Sequence, residues 1–265
     1  MVQEVFAMIP TPYIYKMERT QIDTYQALYD KLPFEDTMAA IRKKTILRFL
    51  NEIKPKTLLE IGCGNDSIIN HYTAFKKCLV IEPSLVFFKR LQQSETLKTK
   101  EVICVNNFFS AALKSSVDFN DVDGVLVSGL LHELPEPEVF LKDLFDVLPL
   151  DTVVHINVPN ANSFHRLLAL QSGLIKNVEE RSDLQIELQQ PHTFTQSALN
   201  ELAQNAGFKV IKHGSYFIKP FTHVQMHHIQ HNELFHKNIM DGLEKMIEFF
   251  PDNGSEIFVE VVKRM

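Results

Sequence analysis

The feature that most constrains this chain is a turn with two glycines directly after a short apolar segment. The segment spans residues 57–61 (TLLEI), and Gly62-Cys63-Gly64 follows it. Glycine reaches backbone angles that other residues avoid, and it lets a ligand approach the main chain closely. At the end of a parallel strand, such a turn lies where open α/β sheets bind ligands. Read alone, it also fits an ordinary tight connection.

Short apolar segments alternate with helical patterns through the middle of the chain. The predicted strands are residues 57–61, 78–81, 101–105, 122–128 and 152–158. Helices are predicted at residues 66–75, 84–91 and 136–148. Strands that are apolar throughout and are separated by helices indicate a parallel sheet that is covered on both faces.

Helical patterns also flank this central region. Helices are predicted before it at residues 13–32 and 34–53, and after it at 162–175, 195–206 and 232–250. Residues 176–190 read as a polar loop or lid, and 208–217 and 256–262 as strands. No linker interrupts the pattern, so we expect one domain over residues 1–265. Its predicted parts are a helical cap (1–53), a cofactor-binding half (54–160) and a substrate-side half with lid elements (161–265).

Composition narrows the class of protein. The 265 residues include 27 Lys and Arg against 33 Asp and Glu, a net charge of −6, which argues against nucleic acid as the main substrate. The three cysteines, Cys63, Cys78 and Cys104, form no CxxC pair and read as reduced thiols. No secretory signal and no membrane-length apolar segment is visible. We expect a cytoplasmic monomer or homodimer that binds no membrane.

An acidic residue at the end of the second strand makes the glycine turn more specific. Glu82 lies 20 residues after Gly62, where a carboxylate accepts hydrogen bonds from the ribose hydroxyls of an adenosine cofactor. A dinucleotide-binding turn would have glycine at position 67, where this chain has Ser67. Asp66 would repel a pyrophosphate at the same place. The pattern therefore favours a nucleoside cofactor without phosphates over the NAD(P) of an oxidoreductase.

The joint pattern resembles the class I S-adenosylmethionine-dependent methyltransferases over roughly residues 40–265. The matching segments are LLEIGCG, VIEPS, VNNFFS, VDGVLVSGLLHELPEPEVFLKDL, VVHINVPNANSF and PHTFTQSALNELAQNAGFKVI. The resemblance implies a Rossmann-like three-layer sandwich with N-terminal helices and a helical insertion near the C-terminus. Its seven-stranded sheet would be mostly parallel, with the last strand antiparallel beside residues 208–217. The implied cofactor is S-adenosyl-L-methionine, and the product S-adenosyl-L-homocysteine.

The resemblance also assigns a cofactor site, residue by residue. The residues carried over are Glu60, Gly62, Cys63, Gly64, Glu82, Pro83, Asn107, Phe108, Ser128 and Gly129. Glu60 and the turn would contact the methionine end, Glu82 the ribose and Phe108 the adenine. Asn107 stands where members often have Asp, and its side-chain oxygen still accepts a hydrogen bond from the adenine amino group. Asp66 replaces the last glycine of the usual GxGxG pattern.

Two neighbouring residues are candidates for the chemistry. Methyl transfer from a sulfonium is a direct displacement, and a general base assists when the acceptor is a hydroxyl. His132 and Glu133 follow the fourth strand, where a side chain would face the methyl group. Histidine titrates near neutral pH and is the better base. Alternatively, His132 only orients the loop before the next helix.

Candidates for the acceptor site follow the fifth strand and continue into a histidine-rich segment. They are Asn160, His165, His192, His223 and His227. On a helix, His223, His227 and His231 would share one face, and two of them with Glu233 can ligate a transition metal. No cysteine or HExxH element accompanies them, so we predict a solvated or pocket-lining role and no metal.

The sequence thus predicts methyl transfer to a small polar molecule, with an oxygen of a sugar, lipid precursor or natural product as the first choice. An N-methyltransferase, or a protein or nucleic-acid methyltransferase of the same fold, is the alternative. No NPPY-like tetrapeptide follows the fourth strand, which counts against a DNA-base enzyme. An NAD(P)-dependent oxidoreductase and a non-catalytic cofactor-binding protein remain as alternatives of another class.

Overall fold

Seven strands form one sheet in the computed structural model, which describes residues 32–232, 236 and 238–264. They are β1 (Thr57–Ile61), β2 (Lys77–Ile81), β3 (Glu101–Val105), β4 (Gly124–Ser128), β5 (Val153–Pro159), β6 (Lys209–Tyr216) and β7 (Glu256–Val262). The strand order is β3-β2-β1-β4-β5-β7-β6. Only β7 is antiparallel to its neighbours, β5 and β6. The predicted sheet is confirmed, and its strand order reverses beside β1, where such sheets bind ligands.

Nine α-helices surround the sheet within the described residues. They are α1 (Glu35–Ile53), α2 (Leu85–Leu91), α3 (Thr96–Thr99), α4 (Pro137–Val147), α5 (Phe164–Gln171), α6 (Asp183–Glu187), α7 (Gln196–Asn205), α8 (His223–Gln230) and α9 (Asn238–Lys245). Single 3-10 turns occur at Ile68–Asn70, Ala111–Ser115, Leu131–Glu133 and Met246–Glu248. Within the described chain, no helix is both long and apolar enough to cross a membrane.

Two apolar cores, one on each face of the sheet, show the three layers. Successive side chains of a strand point to opposite faces. Leu58 accordingly belongs to the core that contains α1 and α2, whereas Leu59 and Ile61 belong to the core that contains α4 and α7. Both faces are buried, which explains why the central strands are apolar throughout.

The predicted helix over residues 66–75 is wrong. The segment carries buried apolar side chains at helical spacing, but it forms only the 3-10 turn Ile68–Asn70 and then runs extended to β2. Glu60 anchors the start of the segment, because its carboxylate accepts hydrogen bonds from the Ser67 hydroxyl and from the Ile68 amide at 2.9 Å. These bonds hold the start of the segment against β1.

The predicted helix over residues 232–250 is also wrong in its bounds. α8 ends at Gln230, before the predicted start, and the described residues of the region form the helix α9 and the 3-10 turn Met246–Glu248. α8 begins at a capping box, in which the side chains of Thr222 and Gln225 each accept a hydrogen bond from the backbone amide of the other residue. The capping box is visible in the sequence, but the prediction followed the hydrophobic pattern instead. The lid region 176–190 contains the short helix α6. The predicted helix over 13–32 lies, except for Leu32, outside the described residues.

One buried carboxylate joins four elements of the fold. Glu256, at the start of β7, accepts hydrogen bonds from Arg42 Nε of α1 at 2.9 Å, from Asn157 Nδ2 of β5 at 3.0 Å and from the Tyr216 hydroxyl of β6. Burial opposes ionisation, but the Arg42 guanidinium and the hydrogen bonds hold the pKa of Glu256 below its ordinary value. The carboxylate therefore stays charged and ties α1 to the sheet.

We expect Arg42→Met to lower the free energy of unfolding by about 3–5 kcal/mol, because it leaves a buried carboxylate without its cation. Urea unfolding at pH 7 measures the loss, with Arg48→Met on an exposed position of α1 as the control. A group with a lowered pKa contributes stability above its unfolded pKa and loses that contribution as pH falls through the folded value. The deficit should therefore shrink in acid. Equal midpoints for the two variants would contradict the assignment.

Candidate active site

A cavity of about 630 Å³ opens at the carboxyl ends of β1, β2 and β4. Small-molecule sites typically have volumes of roughly 300–1,000 Å³. The sequence-predicted residues that line it are Glu60, Gly62, Cys63, Gly64, Glu82, Pro83, Phe108, Ser128, Gly129 and Glu133. The tertiary structure thus brings most of the predicted cofactor residues to one wall.

The glycine turn adopts the backbone that its sequence requires. Gly62 and Gly64 have φ angles of 74° and 57°, in the left-handed region that favours glycine. The Gly62 amide donates to the Ile81 carbonyl at 2.9 Å, which joins the turn to the end of β2. A side chain at Gly64 would meet no atom within 4 Å. The main chain at Gly64 is therefore open to a ligand.

Glu82 links the turn to the loop after β2. Its Oε2 accepts from the Gly64 amide at 3.2 Å, and its Oε1 accepts from the Ser84 amide at 2.8 Å. The residue is only 3% exposed, and burial raises the pKa of its carboxyl although the backbone donors oppose this shift. Asn106 Nδ2 holds the same loop by donating to the Glu82 carbonyl at 2.9 Å. The carboxylate is thus oriented by backbone amides while it faces the cavity.

Glu60 is a second buried carboxyl on the cavity wall. Burial raises its pKa to about 7, the hydrogen bonds from Ile68 and Ser67 oppose the shift, and the charge of Glu82 adds to it. Glu60 therefore changes its charge near neutral pH.

Asn107 does not line the cavity. Its Oδ1 accepts a hydrogen bond from the Phe108 amide at 2.8 Å, which folds the side chain back onto its own loop. Phe108 itself lies on the cavity wall. Asn107 and Phe108 were both predicted to contact an adenine, and only Phe108 therefore lines the cavity.

The two candidates for a general base have different surroundings. His132 is 3% exposed and lies outside the cavity lining, whereas Glu133 lies on the wall. Burial lowers the pKa of His132 to about 3, and its Nδ1 has no hydrogen-bond partner. Its Nε2 is 3.6 Å from Glu133 Oε1. The imidazole is thus neutral at physiological pH, and the carboxylate is the one that meets the cavity.

None of the five predicted acceptor residues lines this cavity. Asn160 bonds the Asp252 and Gly254 carbonyls through Nδ2, at 2.9 and 2.8 Å, so it fixes the loop before β7. His192 Nε2 lies 3.3 Å from the Pro135 carbonyl, and His165 lies on α5. His223 contacts Lys219, and the His227 ring lies 4.3 Å from the ring of His231.

The histidine segment does not form a metal site that the described residues can complete. Among those residues, no group of three or more His, Cys, Asp or Glu side chains could hold a metal ion. His223 turns instead toward α1, where its Nε2 is 3.6 Å from Glu35 Oε2. Glu233 lies outside the described residues.

The sequence predicts a helical cap over residues 1–53, but none of the α1 residues that line the cavity was among the predicted site residues. The lining residues from this helix are Glu35, Asp36, Ala39, Ala40, Arg42, Lys43 and Ile46. Lys43 forms an ion pair with Asp66 and thereby offsets the acidic charge beside the glycine turn. The amphipathic pattern of α1 indicates that one face is buried, but it does not specify what that face covers.

We expect Glu60→Gln to stabilise the ligand-free protein at neutral pH. A carboxyl with a raised pKa costs stability progressively between its unfolded pKa, near 4.5, and its folded pKa, near 7. The stability advantage of the variant should therefore grow over that interval, reach a few kcal/mol, and stay level above it. Urea unfolding at several pH values measures the difference, with Glu101→Gln on the exposed start of β3 as the control. A pH-independent difference would refute the raised pKa.

Comparison with known proteins establishes the family and the fold. Residues 34–213 match the sequence model of a family described as a methyltransferase domain, which is more than half of the chain. No curated protein matches the sequence. At 16% identity, the plantazolicin methyltransferase BamL, in complex with a triazolic desmethylPZN analog and SAH, is similar over 92% of this chain and 91% of that chain, with a TM-score of 0.55.

Two further solved structures share the fold at low identity. A SAM-dependent methyltransferase from Archaeoglobus fulgidus, 16% identical, covers 83% of this chain and 92% of that chain, with a TM-score of 0.50. The [4+2]-cyclase SpnF, 12% identical, covers 82% of this chain and 80% of that chain, with a TM-score of 0.51. The predicted superfamily is confirmed: this chain belongs to the methyltransferase domain family and has the class I fold of the S-adenosylmethionine-dependent enzymes.

Proposed function

We propose that the cavity binds S-adenosylmethionine and that the protein transfers its methyl group to an oxygen atom of a small polar molecule. The observation that carries this proposal is the bond between the glycine turn and the acidic residue. The Gly64 amide donates to Glu82 Oε2 at 3.2 Å on the wall of the cavity. The glycine turn and Glu82, which together predict an adenosine cofactor, thus form one surface.

The cofactor would lie along the ends of β1, β2 and β4. Glu82 accepts the Gly64 amide at Oε2 and the Ser84 amide at Oε1, and Cys63 also hydrogen-bonds this carboxylate. Because the carboxylate lies on the cavity wall, the ribose hydroxyls would approach the same two oxygens. Phe108 would pack against the adenine. Glu60 lies at the methionine end, where ionisation of its carboxyl would complement the ammonium and sulfonium charges.

Glu133 is the general base that we propose for a hydroxyl acceptor. It lies on the cavity wall, whereas His132 is buried behind it and neutral. His132 would then act as a positioning residue, because its Nε2 is 3.6 Å from Glu133 Oε1. This assignment reverses the order of preference that residue type alone suggests.

The acceptor is proposed to be small because α1 and Leu188 close the space beside the cofactor surface. A cavity of about 630 Å³ that also holds a nucleoside cofactor leaves room for a small acceptor or for a single group of a larger one. The fold by itself does not establish methyl transfer, since the cyclase SpnF shares it. Cofactor binding and label transfer must therefore be measured separately.

Glu82→Ala should weaken S-adenosylhomocysteine binding by about tenfold or more, because two charge-assisted hydrogen bonds to the ribose are lost. Isothermal titration calorimetry measures the affinity, and Glu101→Gln serves as the control. NADH should not bind the wild-type protein. Unchanged affinity in Glu82→Ala removes the ribose assignment, and tight NADH binding would favour the oxidoreductase alternative.

Incubation with methyl-deuterated S-adenosylmethionine and a metabolite extract should transfer label to a compound of low molecular mass. Glu133→Gln should lower the rate about 100-fold or more, the usual contribution of a general base, without changing the affinity for S-adenosylhomocysteine. Mass spectrometry follows the label, and Glu138→Gln on an exposed position of α4 is the control. Label only in macromolecules would support the alternative acceptor class.

If the cofactor binds and no fraction acquires label, the non-catalytic alternative holds. A full rate in Glu133→Gln would exclude the carboxylate as the base. NMR of the labelled product distinguishes an O-methyl from an N-methyl group and so tests the choice of oxygen.

A further inference from the structure

A buried lysine lies close to the cavity but outside the cofactor surface. Lys219, in the segment between β6 and α8, is only 3% exposed. Its ammonium group has three hydrogen-bond donors, and the described residues supply it with one partner, His223 Nδ1 at 2.9 Å. Within the part of the chain that the structure describes, two donors of this buried cation therefore have no partner, which is costly unless something else binds them.

Two buried groups at the start of α5 also lack partners among the described residues. Ser163 Oγ and His165 Nδ1, at the start of α5, make no hydrogen bond and are shielded from solvent. Burial lowers the pKa of His165, and the charge of Lys219 is the next cause, so the two side chains are close enough to interact. We call Lys219, His223, Ser163 and His165 the Lys219 cluster. Its unused atoms can all donate hydrogen bonds.

The nearest negative charges do not satisfy Lys219. No carboxylate oxygen of the described residues lies within 4.0 Å of its ammonium nitrogen. Glu35 and Glu256 act on it from farther away, and both already bond Arg42. Burial lowers the pKa of Lys219 to about 8 while these two carboxylates oppose the shift. The group is therefore charged at neutral pH and has no contact ion pair.

The cluster adjoins the cavity through α1. Glu35 and Arg42 line the cavity and also contact His223 and Glu256, respectively. Glu256 begins β7, so this region lies at the β5, β7 and β6 end of the sheet, whereas the cofactor surface lies at β2, β1 and β4. An acceptor that reaches from the cofactor to the cluster would therefore extend across the sheet edge.

We propose that the Lys219 cluster binds an oxyanion, a carboxylate or a phosphate, of the methyl acceptor, which makes the acceptor a small anionic molecule. An oxyanion only accepts hydrogen bonds, and it would receive them from the ammonium, the Ser163 hydroxyl and the His165 ring. The amino end of α5, an eight-residue helix, adds its partial positive charge. The inference rests on the proposed function, because it assigns this group to the acceptor.

Binding of simple anions to the full chain tests the proposal without the true acceptor. Benzoate, neutral benzamide and inorganic phosphate are titrated by calorimetry into protein saturated with S-adenosylhomocysteine. We expect benzoate or phosphate to bind at least about tenfold more tightly than benzamide, the difference that charge-assisted hydrogen bonds provide. Benzoate binding alone indicates a carboxylate, and phosphate binding alone indicates a phosphate.

Variants of the cluster locate that binding. Lys219→Met should abolish the preference for the anion, whereas Lys98→Met, at a lysine side chain that is 69% exposed, should retain it. Ser163→Ala should weaken anion binding several-fold, and it leaves the charge of the cluster unchanged. If thermal unfolding and the affinity for S-adenosylhomocysteine show that Lys219→Met does not fold, Ser163→Ala is used in its place.

The proposal is overturned if neither anion binds better than benzamide, if Lys219→Met keeps the preference, or if Ser163→Ala binds the anion as the wild type does. In each of these cases S-adenosylhomocysteine still binds. Failure of the proposed function differs, because S-adenosylhomocysteine itself then does not bind.

Discussion

The buried carboxylate of Glu256 is the interaction on which the arrangement of the site depends. It holds Arg42 of α1, Asn157 of β5 and Tyr216 of β6 at the start of β7. A buried charge is tolerated only when its partners are in place, so these four elements have one mutual arrangement. The consequence is that one face of α1 covers the ends of the strands and closes the cavity.

Two parts of the sheet edge use polar groups in different ways. Near β1 and β2, Glu60 and Glu82 are satisfied mainly by backbone amides, so the turn is rigid before any cofactor binds. Near β7 and β6, Lys219, Ser163 and His165 retain unused hydrogen-bonding capacity. The first part is preorganised for a ligand with hydroxyl donors, and the second for a ligand with acceptors.

Burial decides the chemical character of the histidines in this protein. Loss of water lowers the pKa of His132, His165 and His223, because the protonated ring is the form that burial disfavours. Residue type suggested His132 as the base, and its position beside Glu133 is as the sequence indicates. The sequence does not show that His132 is buried away from water. Because of that burial, we propose Glu133 as the general base in place of His132.

The sequence by itself determined the strands, the glycine turn and the spacing from Gly62 to Glu82, since these follow from side-chain periodicity and from local backbone geometry. It therefore predicted the fold class and most of the cofactor wall. Only the tertiary structure decided that residues 66–75 do not form a helix, which residues of α1 line the cavity and that Lys219 is buried outside its lining. Each of those outcomes depends on hydrogen bonds or burial between segments far apart in the chain, and no local pattern encodes such contacts.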